Sequence, residues 1–160
     1  MSTATRSRWL LVESLRTGTY ASLAMIPFGV LFRALDLRIG HYGKKVVEAA
    51  FGELSPPLFR ALVLVEHFII GWISALPLLW LLMHKSEQRM APTWIYGAAY
   101  GTAYYVLLNS LFLPWFFDDP LPWTLGFTTV YPSLIVHIVF GLTVVWTSKR
   151  FVGGLPARPA

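Results

Sequence analysis

LFRALVLVEHFIIGWISALPLLWLLM, running from Leu58 to Met83, is apolar except for Arg60 near one end and the adjacent pair Glu66 and His67 further in. As a helix, these roughly 26 residues rise about 39 Å, enough to cross a hydrocarbon core about 30 Å thick with some tilt. An acid and an imidazole well inside such a span are costly against acyl chains, so both are expected to face protein.

The rest of the composition agrees. Of 160 residues, 56% are hydrophobic and only 13% charged, against about 25% charge in an average soluble domain. Seven Trp, seven Tyr and eleven Phe suit a chain whose helix ends lie at lipid interfaces. The absence of cysteine excludes disulfides, thiolate metal sites, CxxCH haem attachment and redox dithiols. A net charge of +5 reads as loops that set topology and touch anionic lipid rather than as a nucleic-acid surface.

Outward from Leu58–Met83, the sequence predicts an all-α polytopic membrane protein with one membrane domain. Its four spans lie at about 17–35, 58–83, 93–117 and 128–147. Before the first, Arg6, Arg8 and Arg16 mark a basic segment, expected as a short interfacial helix carrying Trp9; Glu13 and Arg16 break any signal-peptide h-region. Pro27 is expected to kink the first span. Between spans one and two, residues 43–54 place Val46, Val47, Ala50, Phe51 and Leu54 on one face, the pattern of an amphipathic interfacial helix. Residues 85–89 form a charged turn, Asp118-Asp119 before Pro120 a solvated one, and the end of the chain a flexible tail. Arg6, Arg8, Arg16, Lys85, Arg89, Lys149, Arg150 and Arg158 share one side; Arg33, Arg38, Lys44, Lys45 and Arg60 share the other. The excess on the first side predicts both termini in the cytoplasm.

Each span then brings a polar group to the outer half of the bundle: Arg33, the Glu66-His67 pair, Asn109 and His137. Gly97 and Gly101 form a GxxxG with small neighbours, a close-packing face. His67 stands four residues before Gly71, and His137 four before Gly141. That parallel suggests two hairpins repeated about an axis along the membrane normal, although spans one and three do not align.

Several uses of this layer stay open. Glu66, His67, Asn109 and His137 could relay protons. The two histidines could ligate haem b, although the expectation is no cofactor. The spans could hold a lipid or lipophilic partner, or the polar groups could serve only as interhelical glue, with Glu66 paired to Arg60 or Arg33. There is no GxSxG, HExxH, P-loop or dinucleotide fingerprint, so no enzyme is expected. The alternative class is an accessory or scaffold subunit docking a larger membrane complex, or a homo-oligomer, through the GxxxG face.

His67-Phe68 with Gly71, Tyr96-Gly97 with Gly101 and Leu113-Pro114, and the final His137, Gly141 and basic stop together resemble the YagU-like group of small bacterial inner-membrane proteins. The likeness covers about residues 16–150 and lacks the PPR-type segment expected after the first span. It implies an inner-membrane location and an association with acid resistance.

Overall fold

The computed structural model describes residues 3–37, 39–40, 42–84 and 93–153. The charged turn expected at 85–89, Arg38, His41 and the tail beyond residue 153 lie outside them. Every regular element among the described residues is helical. In order these are α1 (Thr3–Ala34), α2 (Tyr42–Phe51), α3 (Pro56–His84) and α4 (Thr93–Tyr104). A π-helical stretch (Tyr105–Phe112) leads from α4 into α5 (Leu113–Phe116), and a 3-10 turn (Pro122–Leu125) precedes α6 (Phe127–Gly153).

The separate N-terminal interfacial helix does not form; α1 is one helix that continues through Pro27. Its first half is tied down by side chains that face protein. Arg16 donates to Glu13 and to the Thr147 carbonyl of α6 at 2.6 Å, and the Ser14 hydroxyl donates to the Trp72 carbonyl of α3. Glu13 and Ser14 are buried accordingly. The expected amphipathic helix is present as α2, which buries Val47 and leaves Lys44, Glu48 and Phe51 exposed. It stops at Gly52, whose φ of +68° is the left-handed cap that glycine takes without a Cβ clash.

Two helices, α3 and α6 as far as Lys149, are long and apolar enough to cross a membrane. Only 28% of the most apolar 18-residue stretch of α3 is buried, and 44% of that of α6. Neither is therefore the hidden core helix of a water-soluble domain, which would be apolar all round and covered. Large apolar side chains also face outward on the other two long segments: Val30 and Leu31 on α1, Leu107 and Trp115 between α4 and α5.

Small residues decide how these helices meet. Helix α1 packs against α3 and α6, and α4 against α6. A Cβ on Gly18 would come 2.7 Å from the Gly71 oxygen, and a Cβ on Gly97 would come 2.7 Å from the Gly141 oxygen. Backbone thus lies on backbone at both crossings, the approach that small-xxx-small patterns permit. Leu78, Leu79, Leu82, Val144 and Val145 fill the core toward the end where α1 begins. Ser110, Ser133 and His137 are buried toward the other end, where the 35–55 and 117–126 connections lie.

Candidate functional site

His137 lies in the α4–α6 seam and is 8% exposed. Gly101 makes its position possible, because a Cβ there would overlap the His137 backbone. The imidazole is flanked by Tyr104, stacked at 5.5 Å between ring centroids, and Tyr105, tilted at 5.5 Å. Both ring nitrogens are engaged. Nδ1 is 2.6 Å from the Ser133 carbonyl oxygen, which can only accept, so Nδ1 carries the proton. Nε2, 2.9 Å from Asn109 Nδ2, then accepts from the amide. In the neutral ring this is the Nδ1–H tautomer.

Asn109 reaches this bond from the π-helical stretch. There the Leu113 N–H bonds back five residues to the Leu108 oxygen. Pro114 has no N–H for the Ser110 carbonyl, so the ordinary helical ladder fails at that point and a wider turn is favoured. Such turns recur at functional sites. This one brings Tyr105 and Asn109 to the same flank of α6.

Asn109 and Ser133, both hydrogen-bonded to His137, also line a cavity of about 300 Å³ at the loop end. Gly40, whose N–H donates to Ser133 Oγ at 2.9 Å, forms part of its rim, with Tyr42, Lys45 and Asp119. Lys45 donates to both Asp119 oxygens at 2.5 and 2.6 Å. Its ammonium lies 5.7 Å from the centre of the Phe117 ring, on which Tyr42 stacks at 5.8 Å. Asp119 is therefore a partner of α2 rather than part of a solvated turn. Asp36 and Asp118 follow the ends of α1 and α5 with φ of 56° and 52°, left-handed bends that Asp tolerates better than most residues.

The other expected site residues divide. Glu66, half-buried, lies against Gly43 of α2 and close enough to Tyr104 to act on it electrostatically. Among the described residues no ion pair joins Glu66 to Arg33 or Arg60. Tyr104 accepts from Ser74 at 2.9 Å, and Tyr100 donates to the Ser74 carbonyl at 2.5 Å; Tyr104 in turn stacks on the His137 ring. His67 stands apart in the α1–α3 seam, with Nε2 3.2 Å from the Ser22 carbonyl oxygen. Arg33 is exposed. Gly71, Gly97, Gly101 and Gly141 are all crossing points. The GxxxG glycines pack on α6 within the chain.

For haem, ligation by His137 would first have to displace one of the bonds just described, and the two rings lie in different seams. Among the described residues no group of three His, Asp or Glu is placed to hold a metal ion.

No family model, curated protein or solved structure matches this chain. The site is accordingly read from its own geometry. Tyr104, Tyr105 and the Lys45–Asp119 pair were not singled out by sequence; the available signal was Pro114, downstream of a run rich in Tyr that ends in Asn109.

Tyr42 gives the site's loop end a pH dependence. Burial first, then the charge and hydrogen bond of Asp119, push its phenol above the ordinary 10.0. A folded-state value above the unfolded one means stability that is full below about pH 10 and is lost as pH rises through the folded value. Above about pH 10 the wild type is expected to lose melting temperature more steeply than Tyr42→Phe. Parallel slopes for the two proteins would show that Tyr42 does not carry the effect.

Proposed function

We propose that the chain is a four-span inner-membrane protein, both termini cytoplasmic, that takes up a proton at His137 from the outer face and serves acid-stress or proton homeostasis. The observation that carries this reading is His137 itself: buried between helices, hydrogen-bonded at both nitrogens, and one bond from the loop-end cavity through each of Asn109 and Ser133. Outward-facing apolar side chains on all four long segments support four spans. The stretch Thr93–Phe116 is 24 residues, about 35 Å long at helical rise, once its π turn is included. The basic excess on the terminal side supports the orientation, and the resemblance to the YagU-like group agrees with the location.

Asn109 suits the chemistry because a primary amide has two ends. Its NH₂ donates to the neutral ring; rotated, its carbonyl oxygen accepts from the ring once Nε2 is protonated. Ser133 holds Nδ1–H in either state. Tyr104 at the end of α4 and Tyr105 at the start of the π-helical stretch face the ring. The Lys45–Asp119 pair lies at the rim of the cavity. Beyond His137 the apolar side chains of Leu78, Leu79 and Val144 close the way to the terminal face, so uptake from one side follows.

The test uses oriented proteoliposomes and the ¹⁵N signal of His137, assigned with His137→Ala. Acidifying the compartment that faces the loop end is expected to shift that signal, while acidifying the other compartment leaves it unmoved. An equal response from both sides, or none from either, would end the reading.

A further inference from the structure

We infer that Glu66 anchors a lipophilic organic monocation, a positive head on an apolar body, in the crevice between α3 and α4. This stands apart from proton uptake at His137 and does not depend on it. Helices α3 and α4 follow each other in the chain, yet they do not pack side by side: α3 packs on α1, α2 and α6, and α4 on α6. What bridges them is tyrosine. Tyr100 donates to the Ser74 carbonyl, and Tyr104 accepts from the Ser74 hydroxyl. Phe140 of α6, stacked on Tyr104 at 6.4 Å between ring centroids, floors the space between. Glu66 stands about two turns before Ser74 on the same side of α3, close enough to Tyr104 to act on it electrostatically. Glu66, Tyr100 and Tyr104 are all only half-buried, so each keeps surface that an occupant can touch.

Charge complementarity names the occupant. On one side the Glu66 carboxylate is closed off by α2, because a Cβ on Gly43 would overlap its Oε2. Gly43 lies in the first turn of α2, whose partial positive charge favours the ionised carboxylate. Among the described residues no hydrogen bond or ion pair reaches that carboxylate. Lys45 is committed to both oxygens of Asp119, and Lys44 is exposed. A carboxylate held among helices without a counter-charge is costly, and a cation that joins it recovers part of that cost. Tyr104 and, one turn away, Tyr100 supply aromatic surface of the kind that attracts an onium group. From Glu66 toward Ser74 the same stripe of α3 continues as Ile70 and Ile73, 40% and 57% exposed, a track for hydrocarbon. A neutral molecule would leave Glu66 unpaired and an anion would be repelled by it. A cation with an apolar body satisfies both the carboxylate and the track, and it reaches them sideways from the bilayer.

The full chain, in dodecyl maltoside, is titrated with tetraphenylphosphonium and with dodecyltrimethylammonium. Tetraphenylborate, which has the shape of the first and the opposite charge, is the control. Calorimetry against protein-free micelles follows binding. At least one of the two cations is expected to bind saturably, about tenfold more weakly to Glu66→Gln, and tetraphenylborate not at all. Because the Glu66 carboxylate takes no hydrogen bond among the described residues, unliganded Glu66→Gln is expected to melt no lower than wild type, which separates lost binding from lost folding. A diazirine analogue of dodecyltrimethylammonium locates the site in the wild type without any substitution: photolabel on α3 and α4 peptides, suppressed by the unlabelled cation, is the expected result. Saturable binding of neither cation, equal affinity in Glu66→Gln, tetraphenylborate binding as tightly as the cations, or suppressible label confined to other helices would overturn the inference. Asn109→Leu alters no residue of the crevice and is expected to bind the cation as wild type does, so failure here is distinguishable from failure of the proton reading.

Discussion

Gly141→Val is expected to destabilise the protein by about 3 kcal/mol or more and to part α4 from α6. A Cβ at Gly141 would overlap the Gly97 carbonyl, with the Gly101 nitrogen only 3.1 Å away. The obstacle is backbone on both sides, so no rotamer change relieves it; the two helices must separate. Separation would in turn undo the Gly101–His137 approach and the Asn109–His137 bond four residues away. Gly29→Ala is the matched control. A Cβ there meets only Ile39 Cδ1 at 3.9 Å, and a helical Gly→Ala exchange gains up to about 1 kcal/mol. Chemical or thermal unfolding in detergent measures both. A Gly141→Val loss below about 1 kcal/mol would mean that the crossing is looser than the backbone contacts indicate.

These same glycines show what sequence could and could not reveal. The long apolar run, the helical classes and the place of α2 are legible because hydropathy and periodicity report burial against lipid or protein directly. The HxxxG parallel between His67–Gly71 and His137–Gly141 was legible too, but its counterpart on the other helices was not. The packing supplies it: Gly18 and Ser22 of α1 meet Gly71, as Gly97 and Gly101 of α4 meet Gly141 and His137. In sequence Ser22 does not resemble Gly101; only a shared crossing makes them equivalent. The partition of the polar layer was hidden for a related reason. Depth along a helix follows from residue number, but the direction a side chain faces around the bundle depends on which neighbour the helix takes. His67 and Glu66 are adjacent in sequence, yet one turns to Ser22 of α1 and the other toward Gly43 of α2 and Tyr104. The π-helical turn was beyond reach because it is a response to Pro114 within one particular packing, and Asp119 looked solvated because its partner Lys45 is 74 residues away.

The pH response read at His137 is expected to disappear in Asn109→Leu and to survive in His67→Ala. Leucine keeps the apolar bulk of the side chain but removes both ends of the amide. Nε2 then loses its donor in the neutral state and has no acceptor in the cationic one. An unpaired cation in that seam is strongly disfavoured, so the ring stays neutral across the range in which the wild type titrates. The fold should tolerate the change, because one interhelical hydrogen bond within a bundle contributes about 0.6–2 kcal/mol. His67→Ala is the contrasting case: it removes a ring that donates only to a backbone carbonyl in the α1–α3 seam and lines no part of the cavity. If the two histidines belonged to a single relay, losing either would abolish the response equally. If His137 acts alone through Asn109, ¹⁵N titration of Asn109→Leu flattens while that of His67→Ala overlays the wild type, and a response lost in both variants would join the two seams after all.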